Sequence, residues 1–130
     1  MPVNHFILYV QDQARSTAFY AQVLGREPEL NVPGMTEFRL SAETILGLMP
    51  SARIQRLLGT EVGDATPAPG TARGELYFVM EDADVYHRRA LQAGARELSP
   101  SLLRDWGYKV AYSMDADGYV LAFASQPDRA

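Results

Sequence analysis

The sequence predicts an α+β fold made of two successive βαβββ modules. Two observations predict this fold. The order of strand-like and helix-like segments in the first half recurs in the second half, and each long helical segment is followed by a glycine, Gly25 or Gly94. Glycine is favoured just past a helix end because it adopts the left-handed backbone conformation found there. The length of 130 residues is that of one domain.

The first module is predicted over residues 1–50. A strand over residues 3–10 leads into a helix that starts near Asp12, an acceptable cap, and stops at Gly25. The helix is indicated by apolar residues at helical spacing, which are Phe19, Tyr20, Val23 and Leu24. Three strand-like segments separated by short turn sequences follow, over residues 29–32, 35–40 and 43–49.

A connector is predicted over residues 51–72. It begins with a short helix capped by Ser51 and stopped by Gly59. Residues 60–74 are rich in Gly, Pro, Thr and Ala and show no periodicity, which predicts a mobile linker. The alternative is a segment that closes over a binding pocket.

The second module is predicted over residues 73–126. A strand over residues 74–80 precedes a helix within residues 82–94, and the predicted apolar face of that helix consists of Ala83, Tyr86, Ala90 and Leu91. We expect His87 to lie on the polar, solvent-exposed side of this helix, and we assign it no role. Three further strands are predicted over residues 95–100, 108–114 and 119–125, with a tight turn at "DADG" between the last two. The agreement of element order favours an internal duplication.

Composition excludes several classes of protein. The chain has no cysteine, so cysteine-based zinc sites and thiol nucleophiles are excluded, and a reducing cytoplasm is compatible with it. A net charge of −4 and no basic run give no footprint for nucleic acid. We expect a soluble, unexported, cytoplasmic protein with no membrane contact, because the apolar runs are only strand-sized. Motifs of nucleotide-binding proteins, serine hydrolases and zinc proteases are missing.

The opening stretch "NHFILYV" sets one polar residue on an apolar strand face. His5, Ile7 and Tyr9 point to one side because strand side chains alternate, and His5 is one of only two histidines. The same alternation in the second module aligns Glu75, Tyr77 and Val79. We expect Gly47, Met49, Ala122 and Ala124 on the closing strands to share these faces.

Three motifs, "NHFILYV", "FYAQVLG" and "DADGYVLAFA", together with the tandem βαβββ order, resemble the vicinal oxygen chelate superfamily. That superfamily includes glyoxalase I, bleomycin-resistance proteins and extradiol dioxygenases. The resemblance covers residues 3 to about 125. It implies curved mixed sheets facing each other around a cleft, and a homodimer.

Metal-dependent members of that superfamily carry ligands on the first and last strands of each module. By resemblance these positions are His5, Glu75, Gly47 and Ala122, and only the first two have donor atoms. The alternative role for His5 and Glu75 is hydrogen bonding to each other or to a ligand. The Gly and Ala positions leave room for an apolar or aromatic ligand group, so we expect no cofactor, with a divalent metal as the alternative.

The stretch "RDWGYKVAY" contains the only tryptophan. Trp106 and Tyr108 are suited to stacking on a planar ligand, and Arg104 to pairing with a carboxylate or phosphate. The alternative is an aromatic turn packed for stability. The candidate ligand-binding residues are therefore His5, Ile7, Tyr9, Glu75, Tyr77, Arg104, Trp106 and Tyr108.

Two functions follow as expectations. The first is a glyoxalase/bleomycin-resistance-like protein that binds a small organic ligand without a complete metal site. The second is a metal-dependent lyase, isomerase or dioxygenase that uses His5 and Glu75. In both cases we expect a homodimer, because eight short strands leave edges and apolar faces that pairing between chains would cover.

Overall fold

The computed structural model describes residues 2–63 and 70–127. The chain divides into two compact units, Met1–Pro67 and Ala68–Ala130. Each unit contains a four-stranded mixed sheet, with a helix inserted between its first and second strands. The predicted α+β fold with repeated βαβββ order is confirmed.

The first unit has the sheet order β1-β4-β3-β2, in which β1 and β4 are parallel and the other pairs antiparallel. Its elements are β1 (Asn4–Val10), α1 (Gln13–Leu24), β2 (Leu30–Val32), β3 (Met35–Ser41), β4 (Thr44–Pro50) and α2 (Ser51–Leu58), followed by a 3-10 turn (Gly59–Val62).

Both predicted ends of α1 are confirmed. The Asp12 side chain accepts a hydrogen bond from the Arg15 amide at 3.1 Å, and Gly25 adopts a left-handed φ of 66°. The prediction that Ser51 caps α2 is wrong, because Pro50 occupies the N-cap position of this helix. The Ser51 hydroxyl instead donates to the Val10 carbonyl at 3.2 Å, which ties α2 to the end of β1.

The second unit has the equivalent sheet order β5-β8-β7-β6, again with its first and last strands parallel. Its elements are β5 (Gly74–Val79), α3 (Ala83–Gln92), β6 (Arg96–Leu103), β7 (Lys109–Met114) and β8 (Tyr119–Ser125). Strand β6 runs three residues past the predicted end at Pro100. It continues because its register with β7 shifts between Ser99 and Leu102, and such irregularities accommodate proline in an edge strand.

Two predicted connections have different outcomes. The tight turn at residues 115–118 is confirmed, since the Asp115 carboxylate accepts from the Asp117 and Tyr119 amides at 2.9 Å each. Of the predicted linker, residues 64–69 lie outside the described residues. None of the described helices is long and apolar enough to cross a membrane.

The prediction that His87 is solvent-exposed is wrong. His87 is only 8% exposed, and its Nε2 lies 2.9 Å from Glu97 Oε2 on β6. The buried stripe of α3 consists of Ala83, His87 and Ala90, which are spaced as one helical face. The small alanines on this stripe allow α3 to approach the sheet closely, and His87 is buried with them.

Candidate functional site

The strand pairing defines which side chains of the first sheet face away from α1. Thr36 faces α1, because its hydroxyl lies 2.8 Å from the Thr17 hydroxyl. Thr36 pairs with Leu48, and Leu48 pairs with Leu8, so these residues share the α1 side. Alternation then places on the face opposite α1 the residues His5, Ile7, Tyr9, Gly47 and Met49, as predicted.

His5 has a partner on this face that the sequence did not indicate. Its Nδ1 lies 3.5 Å from Glu37 Oε2 on β3, with exposed side-chain fractions of 43% and 24%. Glu37 is the register partner of Gly47. Alternation within "MTEFRL" shows which residues of this strand share a face with Glu37. Only the pairing of β3 with β4, and of β4 with β1, brings Glu37 near His5. Glu75 belongs to the second unit.

The space over Gly47 is filled by a neighbouring side chain. A β-carbon at this position would lie 2.6 Å from Ile7 Cδ1 and 3.4 Å from Met35 Sδ. Glycine at position 47 therefore allows Ile7 to pack across β4. In the first unit, the space beside Gly47 that was expected to accommodate a ligand group is occupied by Ile7.

The donor side chains on this face are fewer than a catalytic metal centre usually has. Such centres usually have three protein ligands and an open position. His5 and Glu37 provide two donor side chains, and the described residues contain no group of three or more His, Cys, Asp or Glu placed to hold a metal ion.

The second sheet has its own face opposite α3. Phe78 and Phe123 stack with ring centroids 5.6 Å apart, and Phe123 also lies 6.2 Å from the Tyr86 ring of α3. These rings mark the α3 side. The alternate residues Glu75, Tyr77 and Val79 therefore lie on the face opposite α3, where they pair with Val120, Ala122 and Ala124, as predicted for the two alanines.

Small buried residues form the floor of this face. Val110, Ala122 and Ala124 are fully buried, and Tyr108 and Tyr112 pack against them. Ala122 pairs with Tyr77 on one side and with Tyr112 on the other. The methyl side chain of Ala122 thus separates two tyrosines on neighbouring strands.

Trp106 is hydrogen-bonded to one of the tyrosines on this face. Trp106 Nε1 donates to the Tyr77 hydroxyl at 2.9 Å, although residue 106 is 29 positions from residue 77. Trp106 is 53% exposed and Tyr77 is 40% exposed. The Tyr108 hydroxyl accepts from Gln126 Nε2 at 3.4 Å. We call Tyr77, Trp106, Tyr108 and Tyr112 the aromatic cluster.

Arg104 is held by the protein itself. Its Nη2 donates to the Val110 carbonyl at 2.8 Å and to the Ser99 hydroxyl at 2.6 Å. Its guanidinium carbon lies 5.1 Å from the centre of the Tyr112 ring. These contacts position the segment that carries Trp106, so Arg104 helps to hold the aromatic cluster in place.

Tyr112 reports the electrostatics of this face. Burial raises the pKa of its hydroxyl, the Glu75 carboxylate raises it further, and the Arg104 guanidinium opposes both. The raised pKa favours the neutral phenol, which can donate a hydrogen bond. Sequence reasoning did not single out Tyr112, although alternation from Val110 along β7 places it on the same face.

Planar rings above a floor of small residues can stack on a flat organic group, and the phenol hydroxyls can orient its polar atoms. The structure thus brings Tyr77, Trp106 and Tyr108 together, with Glu75 on the same face. The other candidates, His5, Ile7 and Tyr9, form a separate set on the first sheet.

Comparisons with known proteins agree with this architecture. A glyoxalase-related enzyme from Fulvimarina pelagi is 21% identical, with a TM-score of 0.78 over 98% of this chain and 89% of that chain. A glyoxalase/bleomycin resistance protein/dioxygenase from Nocardioides is 19% identical, with a TM-score of 0.76 over 100% of this chain and 89% of that chain. A glyoxalase/bleomycin resistance protein/dioxygenase family enzyme from Burkholderia phytofirmans PsJN is 14% identical, with a TM-score of 0.80 over 98% of this chain and 100% of that chain. No curated protein matches the chain.

At these identities the solved structures establish the fold. The sequence also matches a family model directly, over residues 3–123, a range that starts before β1 and ends within β8. The chain belongs to the Glyoxalase/Bleomycin resistance protein/Dioxygenase superfamily.

Proposed function

We propose that the protein binds a small organic ligand with a planar group on the aromatic cluster of the second unit, and that it does so without a metal. The observation that carries this proposal is the position of Ala122 between Tyr77 and Tyr112, with Trp106 fastened to Tyr77. Half-exposed aromatic rings with fixed orientation lose little conformational entropy on binding, which favours affinity.

Intrinsic fluorescence provides the test, because Trp106 is the only tryptophan of the chain. We expect planar aromatic compounds to change its emission saturably. Trp106→Ala should weaken their binding about fivefold, measured by calorimetry, since one aromatic pair contributes about 1 kcal/mol. Phe6→Ala is the matched control, because Phe6 is 58% exposed on the first sheet. Equal affinities for the wild type and the Trp106 variant would refute the proposal.

The metal-dependent alternative is a lyase, isomerase or dioxygenase that uses His5 and Glu75. Its supporting outcome is stoichiometric binding of Ni²⁺, Zn²⁺, Mn²⁺ or Fe²⁺ that is lost in both His5→Ala and Glu75→Ala. Because His5 lies beside Glu37, Glu37 could also contribute a metal ligand. The experiment therefore includes Glu37→Gln as a third variant. If the metal binds through His5 and Glu37 alone, the affinity should be low, because two ligands hold a divalent ion weakly.

We further propose that the protein acts as a homodimer in the cytoplasm. Edge strands with exposed apolar residues support association, and the cysteine-free sequence accords with a reducing compartment.

A further inference from the structure

Two ionised side chains are candidates for setting the charge preference of the aromatic cluster. Arg104 and Glu75 both influence the Tyr112 hydroxyl, in opposite directions. The two side chains differ in how many hydrogen bonds they already form with the rest of the protein. A group whose hydrogen bonds are filled internally has little left to offer a ligand, whereas an unpaired group at the surface retains its full capacity.

Two of the three guanidinium nitrogens of Arg104 are hydrogen-bonded within the fold. Its Nη2 donates to Val110, Ser99 and Pro100, and its Nε also donates to the Val110 carbonyl, at 3.3 Å. One face of the guanidinium lies over the Tyr112 ring. Recruiting Nε or Nη2 for a ligand anion would break these contacts, which leaves Nη1 as the one guanidinium nitrogen of Arg104 without a hydrogen bond to the described residues.

The Glu75 carboxylate has the opposite status. Glu75 is exposed, and among residues 2–63 and 70–127 no hydrogen bond or ion pair engages its side chain. The neighbouring cation Arg73 instead lies over the Tyr119 ring, 4.8 Å from its centre. Glu75 precedes Tyr77 by two positions and so shares its face of the sheet.

The next cation in the same row of the sheet, Arg96, lies three strands away from Glu75 and forms no ion pair with it. Glu75 pairs with Val120, Val120 with Met114, and Met114 with Arg96. Three strand spacings separate the two ends of this row, about 14 Å. Arg96 Nη2 lies against Met114 Sδ at 3.7 Å. The Glu75 carboxylate thus lies at the border of the aromatic cluster, and the cation that acts on the same cluster is Arg104, whose guanidinium lies over the Tyr112 ring.

A carboxylate next to aromatic faces is complementary to a cation. Aromatic rings present a negative face that attracts ammonium and guanidinium groups, and the Trp106 N–H is already bonded to Tyr77, so the ring of Trp106 remains for contact through its face. We infer that the ligand is an organic cation, with a planar or aromatic body on the cluster and an ammonium-type group beside Glu75. This inference rests on the proposed function, whose ligand it narrows to one charge class.

Three probes of similar size test the inference: benzyltrimethylammonium, benzyl alcohol and phenylacetate, followed by Trp106 fluorescence and by calorimetry. We expect the cation to bind about tenfold tighter than the neutral and anionic probes, and to weaken as salt screens the charge. Glu75→Gln should reduce affinity for the cation about fivefold or more and leave benzyl alcohol unchanged. Glu75 is exposed, so this variant should remain folded.

The matched control is Glu81→Gln, an exposed carboxylate of the same unit beyond the other end of β5, which should bind all three probes as the wild type does. Equal or tighter binding of benzyl alcohol or phenylacetate would overturn the cation inference while the proposed function stands. Loss of cation binding equally in both glutamine variants would overturn it as well, since bulk charge would then explain the effect. If none of the three probes binds, the inference and the proposed function both fail.

Discussion

Tyr112 shows how the properties of a single side chain depend on residues from two other strands and from the segment after a third. Its ring lies over buried Ala122 of β8, the carboxylate that disfavours its ionisation comes from β5, and the opposing guanidinium follows β6. Burial is the largest cause of the raised pKa. The Tyr112 hydroxyl is therefore harder to ionise than that of an exposed tyrosine.

The raised pKa predicts an alkaline loss of stability. The folded pKa exceeds the unfolded pKa, so the stabilising contribution is complete below the unfolded pKa and is lost as pH rises through the folded pKa. We expect Tyr112→Phe to resemble the wild type at neutral pH, within about 0.5 kcal/mol, and to lose less stability in the alkaline range. Urea unfolding at a series of pH values measures this, and superimposable profiles would contradict it.

His87 illustrates a polar residue buried with only part of its hydrogen bonding satisfied. Its Nε2 pairs with Glu97, while its Nδ1 is buried without a partner among the described residues. The ring also lies 6.3 Å from the Phe123 ring. Its packing between α3 and the second sheet therefore outweighs the cost of one unpaired nitrogen.

Removing the His87 ring should destabilise the second unit. We expect His87→Ala to lower the free energy of unfolding by about 2–3 kcal/mol, because a buried ring and a hydrogen bond are lost together. Arg88→Ala, at an exposed position of the same helix, should change it by no more than about 0.5 kcal/mol. Trp106 emission reports the unfolding. Equal effects of the two variants would argue that His87 is not packed as described.

At the level of elements, the turn between β7 and β8 also holds the entry to β5. The Gly118 carbonyl accepts from the Arg73 amide at 2.8 Å, Gly118 has a φ of 89°, and a β-carbon there would overlap the backbone oxygen of Thr71. Glycine is therefore required at position 118 for two reasons. Its backbone has a positive φ, and the backbone of Thr71 leaves no room for a β-carbon.

Two glycine substitutions separate these requirements. Gly94 has a φ of 114° and open space around its α-carbon, so Gly94→Ala should cost about 1–2 kcal/mol from backbone strain alone. Gly118→Ala should cost more, about 3 kcal/mol or above, because backbone atoms must also move. Thermal and urea unfolding measure both variants. If both variants lose a similar free energy of unfolding, the backbone around Thr71 can move aside at little cost.

The first sheet offers a test of its strand register. Gly47→Glu would place a third donor on the face that carries His5 and Glu37, because residue 47 pairs with Glu37. We expect binding of Zn²⁺ or Ni²⁺ to strengthen at least about tenfold. The metal-free variant should lose stability through repulsion between like charges and through displacement of Ile7, whose Cδ1 occupies the site.

Calorimetry of Gly47→Glu beside Gly47→Gln separates donor chemistry from packing, because the amide is a weaker ligand of nearly equal size. No gain in metal affinity in a folded glutamate variant would mean that residues 5, 37 and 47 do not converge. A gain abolished by His5→Ala would support the register.

At the scale of the whole molecule, both sheets carry exposed apolar side chains on edge strands. They include Leu30 and Val32 on β2, and Leu98, Leu102 and Leu103 on β6. Unpaired edges with apolar residues favour association with another chain. This distribution supports the proposed homodimer.

Sedimentation velocity at micromolar concentration should therefore show a dimer. Leu103→Lys, at a side chain that is 67% exposed, should weaken dimerisation about tenfold if β6 lies in the interface, since a charge would be desolvated there. Leu57→Lys, at a similarly exposed leucine of α2, is the matched control. A monomer at all concentrations would contradict the proposal.

The sequence by itself determined the local elements and their sidedness. Hydrophobic periodicity, Asp12, Gly25 and the "DADG" turn predicted the βαβββ order twice, because these signals act over a few residues. Alternation likewise placed Glu75 and Tyr77, or His5 and Ile7, on common faces. These parts of the fold required no knowledge of distant contacts.

Tertiary structure decided which side chains become partners within each unit. Glu37 reaches His5 only through strand pairing, Trp106 is fastened to Tyr77 across 29 positions, and α3 turns His87 inward. Such contacts depend on register and packing between segments far apart in the chain, where a shift of one residue reverses every side chain. Local pattern carries no information on that choice, so the partners of His5, His87 and Trp106 emerge only in the folded protein.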